Sequence, residues 1–78
     1  MNFSLALVSI KSGFKVQRSG WSSRNIWIEL QLPDEYSKMT LPYLYINYPS
    51  KGENLYGDIV PWVIDQVDLL ADDWIIVE

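Results

Sequence analysis

With 78 residues, no cysteine and no histidine, the chain has room for one small core and lacks the groups on which disulfides, thiolate metal sites and His-based catalysis depend. A net charge of −4 argues against a general affinity for nucleic acid or anionic membrane. No apolar run approaches the ~18–20 residues of a membrane span, and no signal-peptide pattern opens the chain, so the expected location is the cytoplasm.

A single domain over residues 1–78 is expected, and its elements can be read in order. Asn2 is placed to cap a helix over residues 3–12, with Gly13 as the left-handed residue that ends it. Phe3, Ala6, Leu7 and Ile10 recur at helical spacing and make the core stripe, while Leu5 and Val8 lie off it and suit a second buried surface, such as another subunit. Residues 14–18 alternate apolar and polar, as a half-buried strand does. Small turn-forming residues around Trp21 interrupt it. Asn25 to Leu32 is the clearest strand, with Ile26, Ile28, Leu30 and Leu32 on one face and Trp27, Glu29 and Gln31 on the other. Residues 34–42 read as a loop and Tyr43 to Tyr48 as a strand between two prolines. A loop over 50–54 precedes a short extended segment, Leu55 to Val60.

Pro61 then marks a turn, and Asp65 with Asp68 reads as a carboxylate capping box opening a short helix. Val67, Leu70 and Ala71 form its apolar face, and Ile75 to Val77 close the chain as a strand. The order α-β-β-β-β-α-β predicts an α+β fold: a small antiparallel sheet with an N-terminal helix and a short C-terminal helix packed on it. The 49% apolar content includes 4 Trp, 5 Tyr and 2 Phe, more than so small an interior hides, which favours an oligomer.

No catalytic constellation is present. The carboxylate pairs Asp65/Asp68 and Asp72/Asp73 read as caps and solvated charges, with no metal-ligand spacing to recommend them. The informative stretch is Arg18-Ser19-Gly20-Trp21-Ser22-Ser23-Arg24-Asn25. An indole can stack on a nucleobase, guanidinium groups can fork onto phosphate, and the serines and Asn25 offer further hydrogen bonds. Equally, a turn tryptophan can simply pack on the sheet. Four of the six basic residues (Lys11, Lys15, Arg18, Arg24) fall within fourteen positions, whereas residues 57–78 hold six acids and no base. That asymmetry suits a local anion site, or an acidic face that docks on a basic protein.

Both ends of the chain resemble one family. Met1-Asn2-Phe3, Ala6-Leu7, Ile10-Lys11, Gly13, Lys15-Val16, Arg18 and Gly20-Trp21 resemble the N-terminal pattern of the phage Thoeris anti-defence type 2 family. Trp62, Gln66, Asp68-Leu69-Leu70-Ala71 and Asp73-Trp74 resemble its C-terminal signature, while residues 30–58 match it loosely. The resemblance implies a non-enzymatic sponge that needs no cofactor. Such a sponge binds a cyclic nucleotide signal of the glycocyclic ADP-ribose type inside the infected bacterium and keeps it from its effector. It also implies a homo-oligomer, typically a tetramer, with pockets between subunits. On this chain it implies Trp21 for base stacking, Arg18 and Arg24 near the phosphates, and Trp62, Gln66 and Asp68 as further contacts. The alternative is an acidic protein-binding inhibitor of a host defence protein. A hydrolase that destroys the signal is the third reading, disfavoured by the missing histidine.

Overall fold

The computed structural model describes residues 1–22, 25–48 and 57–77. The elements are α1 (Phe3–Lys11), β1 (Val16–Arg18), β2 (Trp27–Gln31), β3 (Tyr43–Asn47), β4 (Ile59–Pro61), α2 (Gln66–Leu69) and β5 (Trp74–Ile76). This is the α+β arrangement expected. The strands form one antiparallel sheet in the order β4-β3-β2-β1-β5.

Local chemistry accounts for the helix that opens the chain. The Asn2 side chain accepts the Leu5 N–H at 3.0 Å, satisfying a donor the first turn leaves orphaned. Gly13 ends α1 with φ +96°, a conformation that costs glycine little. Phe3, Ala6 and Ile10 are buried against Val16, Ile28, Ile46 and Trp74, so the core lies between α1 and one sheet face. Leu5 and Val8 stay exposed.

The strands are narrower than the alternation predicts. Phe14 and Leu32, placed at strand ends, are both exposed and lie outside β1 and β2. Part of the Leu55–Val60 segment lies outside the described residues, and β4 extends one residue further to Pro61. Proline is tolerated there because β4 is an edge strand.

The expected apolar stripe of the second helix is not formed: Val67 and Leu70 are exposed and α2 is a single turn. Asp65 caps it as predicted, accepting the Asp68 N–H at 2.8 Å. Asp68, however, does not complete a capping box. Its carboxylate turns toward β1 and an arginine, which aims Val67 and Leu70 at solvent.

The opposite sheet face carries Lys15, Trp27, Glu29 and Tyr45. The Lys15 ammonium sits 4.7 Å from the Trp27 ring centre, and the Tyr45 hydroxyl donates to Glu29. Burial, reinforced by that carboxylate, pushes the Tyr45 phenol well above its ordinary range.

One feature of the topology positions the site. Since β4 and β5 are opposite edges of the sheet, residues 62–73 must cross its full width. Trp62, Ile64 and Ala71 pack on the core cluster along the way, so the crossing runs over the face that α1 covers.

Candidate functional site

The site begins where β1 ends. Trp21 N–H donates to the Arg18 carbonyl at 3.1 Å, closing a tight turn, and Ser19 N–H donates to the Asp73 carbonyl at 2.9 Å. Gly20 N–H donates to Asp73 Oδ2 at 3.0 Å. A Cβ at Gly20 would stand 3.0 Å from that same oxygen, so the close approach suits glycine. The turn holds Trp21 half-buried and edge-on to Trp74, with ring centroids 5.4 Å apart.

Trp62 arrives from the other end of the chain. Its N–H donates to the Leu44 carbonyl at 3.0 Å, fixing its approach just past β4. Its ring is 6.2 Å from Trp74 and 6.4 Å from Phe3. Between the two half-buried indoles lies a cavity of about 250 Å³, lined by Trp21, Ser22, Ile26, Ile46, Tyr48, Trp62 and Asp68. Larger hollows open beside Tyr36, Lys38 and Tyr43 (about 430 Å³) and along Lys15 and Trp27 (about 600 Å³). Neither of these brings two indoles to one rim.

Among the described residues, Asp68 is the charged group in the cavity wall, and Arg18 stands beside it. One terminal nitrogen of Arg18 donates to Asp68 Oδ1 at 2.8 Å, and Nε donates to Asp73 Oδ1 at 2.8 Å. Hydrogen bonds from Arg18 hold the Asp73 carboxyl below its usual range, with the Gly20 N–H adding to the effect and desolvation opposing it. The same bonds, Asp73 first, hold the guanidinium proton more firmly than usual. The Asp68 carbonyl accepts the buried Trp74 Nε1–H at 2.9 Å, which locks α2 onto the core.

This geometry joins the two chain ends that carry the family patterns. Residues 1–77 match the model of the Thoeris anti-defense 2-like domain. The chain belongs to that family. It is also 37% identical to the Thoeris anti-defense 2 protein of Bacillus phage SP01, in an alignment covering 99% of this chain and 94% of that protein. Membership in the Thoeris anti-defense 2-like family places the chain among phage anti-defence proteins.

Of the residues singled out in the sequence, Trp21, Trp62 and Asp68 meet at the cavity. Arg18 lies behind Asp68, outside the lining, with its guanidinium engaged by two carboxylates. Gln66 is exposed on α2 and does not line the cavity, and Arg24 lies outside the described residues. Ser22 belongs to the stretch that the sequence offers for hydrogen bonding, but sequence reasoning did not single out Ile26, Ile46 and Tyr48. These three had been placed on strand faces, yet only the register that sets Ile28 opposite Ile46 turns them toward the Trp21 turn. Chemically, the arrangement can sandwich or edge-pack a planar ring and accept a hydrogen bond at Asp68.

Proposed function

We propose that this chain binds a cyclic nucleotide immune signal of the glycocyclic ADP-ribose type and holds it uncleaved, so that a Thoeris effector is not activated. The observation that carries this reading is the convergence of Trp21, Trp62 and Asp68, from opposite ends of the chain, on one cavity. Stacking on an indole contributes ~1–3 kcal/mol per base, and a carboxylate accepts a hydrogen bond from a base amine or a ribose hydroxyl. Submicromolar capture needs more than ~8 kcal/mol in all, so further contacts must add to these.

A cavity of about 250 Å³ has room for a base or a nucleoside portion, and is smaller than the ~300–1,000 Å³ of sites that enclose a drug-sized ligand. On this reading a second subunit covers the remainder, in a homo-oligomer that is a tetramer. The exposed Leu5 (55%) and Val8 (62%) on the outer side of α1 support a subunit contact. On this reading Arg24 contacts the ligand's phosphates, and Gln66, exposed on α2, is a further contact. The complex forms in the cytoplasm of the infected bacterium and uses no cofactor. A chain with neither histidine nor cysteine has binding groups without the common catalytic ones.

The test is to mix the purified chain with glycocyclic ADP-ribose, pass the mixture through a filter that retains protein, then heat the retained fraction and identify what is released. Depletion from the filtrate and recovery of the intact signal are expected. Release of ADP-ribose or another cleavage product would refute sequestration. No depletion, with a host defence protein co-purifying instead, would favour the acidic protein-binding inhibitor.

A further inference from the structure

We infer that Arg18 is a positioning residue: it braces Asp68 and, through Asp73, the turn that carries Trp21, and it does not itself bind the ligand's phosphates. The inference rests on the reading of the Trp21–Trp62 cavity as a ligand site.

The geometry carries the argument. Arg18 sits between two carboxylates, at 2.8 Å from an oxygen of each, with a further contact of 3.5 Å to Asp73 Oδ2. One cation between two anions leaves a local charge of −1, so an incoming phosphate meets net repulsion and must displace charge-assisted bonds already made. Meanwhile the same Asp73 receives both N–H groups that precede Trp21, Ser19 on its carbonyl and Gly20 on its side chain. Arg18 thus ties the approach to the Trp21 turn and the acidic wall of the cavity to one guanidinium. Asp68 Oδ1 is spent on Arg18, and Oδ2 receives no hydrogen bond from the described residues. Asp68 lines the cavity, so its carboxylate can accept a further hydrogen bond there. A stacking ring and a hydrogen-bond acceptor work together only when their mutual orientation is held, and Arg18 holds it.

Asp73 separates this role from direct phosphate binding, because it touches Arg18 without lining the cavity. If Arg18 bound phosphate, Asp73→Asn would remove a competing charge and tighten binding. If Arg18 is a brace, the same change loosens the turn and weakens binding. The experiment uses the full chain labelled with 5-fluorotryptophan, whose four resonances are followed by fluorine NMR, together with calorimetric titration of glycocyclic ADP-ribose. Asp73→Asn is expected to shift and broaden the Trp21 resonance, leave Trp27 on the opposite face unchanged, and weaken binding about three- to tenfold, the size of a coupling through one shared contact. Should Asp73→Asn not fold, Arg18→Lys decides in its place. Lysine keeps the charge but cannot fork onto two carboxylates, so a brace is lost while a phosphate contact is largely kept. Tighter binding by Asp73→Asn, wild-type affinity in Arg18→Lys, or an undisturbed Trp21 resonance overturns the inference. The spectroscopic arm needs no ligand. If wild-type protein fails to bind glycocyclic ADP-ribose, the proposed function falls, and the Trp21 resonance still decides the brace.

Discussion

Trp21 and Trp74 meet edge to face, with ring centroids 5.4 Å apart and planes inclined at 78°. One ring lines the cavity and the other is fully buried, so the wall of the site is continuous with the core. Phe3 from α1 and Trp62 from the crossing segment pack on the same inner ring, at 5.2 and 6.2 Å. Trp74 is therefore the common support of helix, turn and cavity. Substitutions at the two rings should separate folding from binding.

Trp74→Ala is expected to fail in folding first. Truncating a buried tryptophan costs ~3–5 kcal/mol, and this one also leaves the Asp68 carbonyl without its Nε1–H donor. Small domains have ~5–15 kcal/mol of total stability, and a chain of this length belongs near the lower end. A urea titration should show a midpoint far below that of the parent or no folded baseline. A parent-like midpoint would mean that the ring is not the support described.

Trp21→Ala should fail in binding first. Loss of a stacked base costs ~1–3 kcal/mol, about five- to 150-fold in affinity. Because Trp21 is only half-buried, the stability loss should be smaller than for Trp74→Ala, and Trp21→Phe should restore much of the packing. Melting curves and ligand titration on the same samples check this. A folded Trp21→Ala protein that binds glycocyclic ADP-ribose at parental affinity would remove Trp21 from the site.

Acid should loosen the Trp21 turn through Asp73. Its folded carboxyl titrates lower than in the unfolded chain, because Arg18 hydrogen-bonds the ionised form. The resulting stabilisation is complete above the ordinary Asp value of about 3.9 and is lost as the pH falls from there through the lower folded value. Melting temperature measured downward from pH 5 should fall less steeply in Asp73→Asn than in the parent. Identical profiles would show that the pair contributes nothing to folding.

The outer side of α1 tests the assembly. Leu5→Asp with Val8→Asp places two charges on a surface that is exposed in the single chain, so the fold should persist. If that surface joins subunits, light scattering should drop from an oligomer to a mass near 9.1 kDa, with weaker ligand capture. An unchanged oligomer would move the subunit contact elsewhere.

What the sequence determined by itself was chemistry written in neighbouring residues. The Asn2 cap, the Gly13 stop, the Asp65 cap and the alternation of β2 and β3 depend on hydrogen bonds and side-chain periods spanning a few positions. The element order and the α+β class followed from them, and the family pattern at both ends pointed to Trp21, Trp62 and Asp68. Only the tertiary structure decided that these three share a cavity. The strand order β4-β3-β2-β1-β5 sends residues 62–73 across the α1-covered face, a choice made by packing and register rather than by local propensity. It likewise decided the partners of Arg18, which lie 50 and 55 positions away, and the direction of Asp68, whose turn inward exposed the helical stripe at Val67 and Leu70. A charge finds its counter-charge through space, and one short turn of helix has too little apolar surface to overrule that pairing.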